Sequence, residues 1–96
     1  MFAVVVRETG NAAEIDNGAE LVSNEVAPRV RQAPGFRSAI WMSDGAGGTL
    51  NVLSFDSEEA ARGALARLRQ SPRPDYLTLE SADLYRVLAS AEPMSR

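Results

Sequence analysis

The sequence predicts an α+β fold, a ferredoxin-like βαββαβ sandwich in which a four-stranded antiparallel sheet carries two helices on one face. The chain has 96 residues, the length of one domain, which we assign to residues 1–96. Three observations predict this fold: a β-branched run opens the chain, a glycine-rich turn joins two strand-like segments, and an acidic cap follows them. The resulting order of strand, helix, strand, strand, helix, strand is the split βαβ arrangement.

The first half of the chain predicts one strand and one helix. Residues 2–7 (FAVVVR) are apolar at successive positions, which is typical of a strand buried on both faces. A helix is predicted from Asp16 to Ala33, with Asp16 or Asn17 as its N-cap. Pro28 lies inside it and removes one backbone donor, so we expect a kink or a split near Val26. The apolar residues of this helix recur at three- and four-residue steps and form one stripe: Ala19, Val22, Val26, Val30 and Ala33.

A β-hairpin is predicted next, with strands at 36–43 and 49–55. The connecting residues 44–48 (DGAGG) favour a turn, because glycine adopts a positive φ without strain. They lead into a strand and not a helix, so they are turn glycines and not a phosphate-binding loop. A symmetric loop pairs the two strands in this register: Ser43 with Thr49, Trp41 with Asn51, Ala39 with Leu53, and Arg37 with Phe55.

The second half repeats the helix and the strand. Asp56, followed by Glu59 three residues later, is a capping-box pattern and predicts a helix start. The apolar stripe of this helix consists of Ala61, Leu65 and Leu68, with Ala64 beside it, and its arginines at 62, 67 and 69 are expected in solvent. Residues 71–74 (SPRP) end the helix, and a last strand is predicted near 79–88.

The composition excludes several kinds of site. The sequence contains neither cysteine nor histidine, so thiolate and imidazole chemistry are absent and we expect no metal site. All ten basic residues are arginine, which also excludes a Schiff-base lysine. A net charge of −3 argues against nucleic acid as a partner. No apolar run is long enough to span a bilayer and no secretory signal opens the chain, so we expect a cytoplasmic protein without a membrane partner.

The sheet has a second apolar face that two helices cannot cover. The alternation places Ala3 and Val5 on this face, together with four hairpin residues: Ile40, Met42, Leu50 and Val52. Such a face would expose roughly 400 Å² or more, near the upper limit for a monomer. We therefore expect a homodimer in which the two sheets pack on each other.

The pattern around the hairpin resembles a known superfamily. Residues 26–36 read V-x-P-x-V-R-x-x-P-G-F, and Trp41, the hairpin and S-F-D-S-E-E-A-A at 54–61 follow. This order is similar to the dimeric α+β barrel superfamily, and within it to the antibiotic-biosynthesis-monooxygenase-like proteins. The resemblance implies a homodimer, and some members are cofactor-independent oxygenases that act on polycyclic aromatic substrates, so no cofactor is expected. The haem-degrading branch relies on a histidine, which this sequence lacks.

Four residues are candidate ligand contacts: Trp41, Asn51, Tyr85 and Arg37. In the superfamily an aromatic residue near Trp41 often lines a cavity; this ring would either stack on a planar ligand or fill the sheet–sheet interface. Asn51 would hydrogen-bond a ligand or face solvent at the rim. Tyr85 would donate to a substrate phenol or lie half-buried, and Arg37 would pair with an anion or form a rim salt bridge. No residue can be assigned a catalytic role.

Two functions remain open at this point. The first is a homodimeric binding or accessory module whose apolar sheet face serves assembly and whose candidate ligand is a small aromatic molecule. The second is a cofactor-independent monooxygenase acting on an aromatic or polyketide-like substrate, with a cavity lined by Trp41, Asn51 and Tyr85. That chemistry requires desolvation and orientation of the substrate and needs neither cysteine nor histidine. Convergence of the three side chains on one cavity would favour the enzyme.

Overall fold

The computed structural model describes residues 1–94 and has the predicted order of elements. The strands are β1 (Phe2–Gly10), β2 (Phe36–Ser43), β3 (Gly48–Phe55) and β4 (Leu77–Arg86). The helices are α1 (Ala12–Asn17), α2 (Ala19–Leu21), a π-helical turn (Val22–Val26), α3 (Ala27–Val30) and α4 (Glu58–Gln70). We refer to α1, α2, the π-helical turn and α3 together as segment 12–30.

The four strands form one antiparallel sheet in the order β2-β3-β1-β4, which confirms the ferredoxin-like α+β fold. The predicted hairpin register is confirmed for the pairs Ser43–Thr49, Trp41–Asn51 and Ala39–Leu53. It fails at Arg37, because an irregularity between Phe36 and Ser38 brings Phe36 opposite Phe55 instead. A bulge of this kind inserts one unpaired residue into the ladder.

The core lies between the helices and one face of the sheet, here called the helix-facing side. The sheet contributes Val4, Val6, Leu53, Phe55 and Ala82, and α4 contributes Ala61, Ala64 and Leu65. Phe55 and Val4 are fully buried, and the ring of Phe36 packs edge-on against that of Phe55 with centroids 6.0 Å apart. Apolar side chains alternate along the strands, so this one face supplies most of the buried surface.

Segment 12–30 begins earlier than the sequence predicted. Asn11, and neither Asp16 nor Asn17, is the N-cap of α1, and its side chain accepts a hydrogen bond from the backbone of Glu14 at 3.0 Å. The expected interruption near Val26 is confirmed, since the π-helical turn ends there and Pro28 lies in the first turn of α3. Proline has no N–H to donate to the carbonyls of the preceding turn, and this loss interrupts the helical hydrogen-bond ladder. No side chain between residues 12 and 30 is buried.

The hairpin turn is held by the side chain of Asp44. Its Oδ1 accepts hydrogen bonds from the backbone N–H of Ala46 at 2.7 Å and of Gly48 at 2.9 Å. These two donors stabilise the charged carboxylate and lower the pKa of Asp44 from its ordinary value. Gly45 and Gly47 have φ values of 75° and 98°, which confirms that the turn needs glycine.

Helix α4 is capped by Ser57 and not by Asp56 as predicted. The Ser57 side chain accepts from the backbone N–H of Ala60 at 3.1 Å, whereas Asp56 pairs with Arg37. The predicted apolar stripe faces the core. Arg62, Arg67 and Arg69 are exposed as predicted, and Arg69 in addition donates to the carbonyl oxygen of Ala82 at 2.7 Å.

The other surface of the sheet, here called the open face, carries no helix in residues 1–94. Its apolar members are those predicted from the alternation, with Tyr85 added from β4: Ala3, Val5, Ile40, Met42, Leu50, Val52 and Tyr85. Ile40 is 53% exposed and Tyr85 is 54% exposed. The helices of the described chain are all too short and too polar to cross a membrane.

Candidate ligand-binding site

Trp41 and Asn51 lie side by side on the helix-facing side of the sheet. They are direct partners across β2 and β3, and Asn51 also pairs with Val6, a member of the core. Opposite residues of antiparallel strands have Cβ atoms roughly 4.5–5.5 Å apart, so the indole and the amide are neighbours. Asn51 is only 8% exposed, and Trp41 is half-buried. The indole therefore does not fill the sheet–sheet interface, one of the two alternatives left open by the sequence.

A buried ion pair fixes the side chain of Asn51. Its Nδ2 donates to Oε1 of Glu8 at 3.2 Å, and Oε2 of Glu8 accepts from Nε of Arg73 at 2.9 Å. The side chains of Arg73 and Glu8 are 17% and 12% exposed. Arg73 also donates to the carbonyl oxygens of Leu68 at 2.9 Å and Ser71 at 3.2 Å. This pair links the loop after α4 to the end of β1, and the sequence-based prediction did not include it.

The ion pair also determines which end of the Asn51 amide is available. A carboxylate only accepts hydrogen bonds, so Glu8 faces the NH₂ group of Asn51 and the carbonyl Oδ1 points away from it. Within residues 1–94, no donor is hydrogen-bonded to this Oδ1. The arrangement therefore presents one aromatic ring and one amide acceptor next to each other on the helix-facing side of the sheet.

Segment 12–30 contacts the rest of the domain at two points that the structure shows in detail, while helix α4 packs on β1, β3 and β4. In α1, Oδ1 of Asp16 accepts a hydrogen bond from the Ser43 hydroxyl at 3.1 Å. In α3, Val30 packs against the core. These two contacts lie on either side of the π-helical turn.

Tyr85 does not join this site. It pairs with Ala3 and is exposed on the open face, so the sheet separates it from Trp41 and Asn51. The expected cavity lined by all three residues is therefore wrong for a single chain. Successive residues of a strand point to opposite faces of the sheet, so the face on which Tyr85 lies depends on how β4 pairs with β1. The predicted pairing covered β2 and β3 only and did not include β4.

Arg37 is also remote from the pair. Its guanidinium lies 3.2 Å from the carboxylate of Asp56, and the two side chains are 59% and 57% exposed. This is the rim salt bridge that the sequence offered as the alternative to an anion site. Three residues of β2 separate Arg37 from Trp41, and the irregularity after Phe36 turns it away from the predicted position.

Two open grooves occur elsewhere on the surface. One, of about 450 Å³, lies at the hairpin end of the sheet and includes the open-face residues Arg7, Met42 and Leu50. The other, of about 420 Å³, lies between Pro34-Gly35 and the first turn of α4. Neither groove is lined by Trp41 or Asn51. Among the described residues, no three acidic side chains converge in a way that would hold a metal ion.

Comparison with solved structures supports the fold. No protein-family model and no curated protein matches the sequence. A monooxygenase from the gene ActVA-Orf6 of Streptomyces coelicolor, solved with the ligand nanaomycin D, is similar with 24% identity over 97% of this chain and 92% of that chain, at a TM-score of 0.64. The haem degrader MhuD of Mycobacterium tuberculosis, solved with two haems in its active site, is 16% identical over 96% and 100% of the two chains, at a TM-score of 0.71.

A third similar structure is a dimeric ferredoxin-like protein from an uncultured marine organism. It is 11% identical over 96% of this chain and 99% of that chain, at a TM-score of 0.64. At these identities the similarity concerns the fold, and nearly the full length of each chain takes part in it. The fold implied by the resemblance is thus confirmed, and this chain has the ferredoxin-like fold of these structures.

Proposed function

We propose that this protein is a homodimeric small-molecule-binding module, with a ligand site at Trp41 and Asn51 and a second copy on the open face. The two parts of the proposal concern opposite sides of the sheet. They therefore rest on separate observations and can be tested separately.

The proposal of a ligand site rests on the buried Glu8–Arg73 ion pair beside Asn51. A buried ion pair contributes little net stability, because removing two charges from water offsets most of their attraction. A core of this size would be at least as stable with apolar residues at these positions, and departures from apolar packing are expected at functional sites. Besides linking the loop after α4 to β1, the pair holds the Asn51 amide in a single orientation next to Trp41.

The chemistry of the pair indicates the class of ligand. An indole ring offers a flat face to a planar aromatic molecule. The Oδ1 of Asn51 accepts a hydrogen bond, so the ligand should carry an O–H or N–H at the edge of its ring system. A phenolic or hydroxyquinone compound meets both requirements. In this proposal the ligand enters when segment 12–30 moves, since that segment has no buried side chain.

The single tryptophan makes the ligand site directly measurable. Trp41 is the only indole in the sequence, so its fluorescence reports on this position alone. We expect saturable quenching when a hydroxynaphthoquinone is added, and weaker binding by about tenfold for Asn51→Ala, which corresponds to one lost hydrogen bond of about 1.4 kcal/mol. Methylating the ligand hydroxyl should weaken binding to the wild-type protein and leave Asn51→Ala unaffected.

Tyr85→Phe is the matched control, because Tyr85 lies on the opposite face. It should leave quenching unchanged. Quenching that does not saturate, or that is equally strong in Asn51→Ala, would refute a site at this pair.

The proposal of a homodimer rests on the exposed apolar residues of the open face. Its apolar side chains include Ile40 and Tyr85, both more than half exposed in the single chain. Two such sheets packed about 10 Å apart would remove them from water. Sedimentation at micromolar concentration should give a dimer, and a stable monomer would refute this part of the proposal.

A cofactor-independent monooxygenase is the second candidate. It is favoured by the fold similarity to the Streptomyces monooxygenase that was solved with nanaomycin D. In that case an electron-rich aromatic ligand at Trp41 would react with dioxygen directly, and the protein would supply orientation and exclude water. Oxygen consumption that depends on Asn51 would establish the enzyme. Saturable binding without oxygen consumption would support the binding module and refute the monooxygenase.

A further inference from the structure

We infer that Arg7 and Asp83 fix the orientation of the two copies in the proposed homodimer by forming two symmetric ion pairs across the open face. This inference rests on the homodimer of the proposed function and adds the residues that determine how the two sheets meet. It concerns two charges that lie among the apolar residues of the open face, Arg7 on the inner strand β1 and Asp83 on the edge strand β4.

Arg7 and Asp83 are neighbours on the open face. Arg7 of β1 pairs with Ser81 of β4, and Val5 pairs with Asp83, so the two charged residues occupy diagonal positions on adjacent strands. Both are exposed. Neither takes part in an ion pair within residues 1–94, where the arginine–carboxylate pairs are Arg37–Asp56, Arg62–Glu58 and Arg73–Glu8.

The nearby acidic residues do not neutralise Arg7. Glu80 lies at the β4 bulge and accepts a hydrogen bond from the Thr9 hydroxyl at 3.2 Å. Asp44 is occupied by the backbone donors of the hairpin turn. Arg7 lines the open groove beside Met42 and Leu50, where a side chain from another molecule can reach it.

Covering this face with an apolar surface would be unfavourable. An unpaired charge that loses its water is strongly destabilising, so any partner must supply a negative group near Arg7 and a positive group near Asp83. A second copy does this when the two-fold axis passes between the two residues. In an isologous interface, contact of Arg7 with Asp83 of the partner subunit implies the reciprocal contact as well.

The open face is small, so the two ion pairs should have a large effect on the stability of the dimer. Four strands spaced about 4.8 Å apart, each with at least eight residues rising about 3.3 Å per residue, form a face of roughly 500 Å². Two copies would then bury roughly 1,000 Å², at the lower limit for a specific interface. A small interface of this kind tolerates few unfavourable charge contacts.

Charge reversal with mixing tests the inference. Arg7→Glu places two carboxylates opposite each other at both symmetric positions, and Asp83→Arg does the same with two guanidinium groups. Each variant should weaken the dimer at least about 100-fold in sedimentation, since close interfacial charge pairs couple strongly. The two variants mixed in equal amounts should form a heterodimer, because each chain then meets the opposite charge, and the double variant should dimerise by itself.

Control variants distinguish a loss of the ion pairs from unfolding and from a general effect of charge. Arg29→Asp reverses an exposed charge on segment 12–30 and should not affect the dimer. Circular dichroism checks that each monomeric variant is folded, and the milder Arg7→Gln should weaken the dimer less than Arg7→Glu. A monomeric wild-type protein would refute the homodimer itself. A wild-type dimer that both reversals leave intact would overturn only this inference. Variants that dissociate but fail to combine on mixing would show that the charges act within one chain, which also overturns it.

Discussion

Arg73→Met is the substitution with the largest predicted effect on stability, because it leaves Glu8 buried without its partner. Methionine keeps most of the aliphatic volume and removes the guanidinium. Breaking a buried ion pair by removing one partner is typically destabilising by roughly 3–5 kcal/mol. The side chains of Arg73 and Glu8 are 17% and 12% exposed, so water screens the pair in part and the lower end of that range applies.

We therefore expect a loss of about 3 kcal/mol in the free energy of unfolding. For a domain of this length, that loss corresponds to a decrease in Tm of roughly 12–24 °C. The total stability of such domains is about 5–15 kcal/mol, so the variant stays folded at room temperature. Urea titration followed by circular dichroism, at one fixed protein concentration, gives the free energy with the slope m as a check on two-state unfolding.

Arg37→Met provides the matched control for this measurement. It removes the same group from the Asp56 pair, whose side chains are 59% and 57% exposed, and should change stability by less than about 1 kcal/mol. The double variant Glu8→Met, Arg73→Met should be more stable than Arg73→Met alone, since no buried charge remains. A loss no larger than that of Arg37→Met, or strictly additive losses in the double variant, would refute the buried-pair reasoning.

Three further predictions concern the caps and the hairpin turn. Ser57→Ala should destabilise the protein by about 1 kcal/mol through the lost cap of α4, and Asp56→Ala by less, as measured by urea titration. Gly47→Ala should lower stability by about 2 kcal/mol or more, because φ is 98° and a Cβ would lie 2.5 Å from a backbone oxygen. Gly45→Ala has open space and should lose only about 1 kcal/mol. Because the pKa of Asp44 is lowered in the folded state, its contribution is present at neutral pH and is lost as the pH falls through that lowered pKa. The stability difference between wild type and Asp44→Ala should therefore narrow in acid; a constant difference would contradict this assignment.

The element order and the central register could be predicted because they depend on local patterns. Alternation along residues 36–43 and 49–55, joined by a glycine turn, determines that Trp41 faces Asn51. The alternation also predicted the open apolar face. The position of Pro28 was enough to predict the interruption of segment 12–30, since a missing backbone donor has the same effect in any tertiary context.

The helix starts were less predictable because several polar residues compete at each one. Asp56 and Ser57 are both good caps, and the pairing of Asp56 with Arg37 across the chain leaves the cap to Ser57. At the first helix, Asn11 lies five residues before the predicted start at Asp16, in a polar stretch with several possible caps, and only the structure shows its capping contact with Glu14. Tertiary contacts decide such cases, and they are not local in sequence.

Half of the candidate site was missed for a related reason. Glu8 continues the alternation of Val4 and Val6, so extending the predicted strand by one residue would have placed its carboxylate on the core side. That signal was present in the sequence. No comparable signal marks Arg73, which lies between two prolines and meets Glu8 only through the fold, 65 positions away in the chain.

The π-helical turn at Val22–Val26 determines how the end of segment 12–30 meets the core. Such a turn is equivalent to inserting one residue into an α-helix, and each residue of an α-helix advances by about 100° around the axis. Deleting one residue from the turn would therefore give a more regular helix but would rotate Val30 away from the core residues that it contacts. The π-helical turn thus adjusts the rotation of the segment about its axis. With this adjustment, Asp16 contacts Ser43 and Val30 contacts the core.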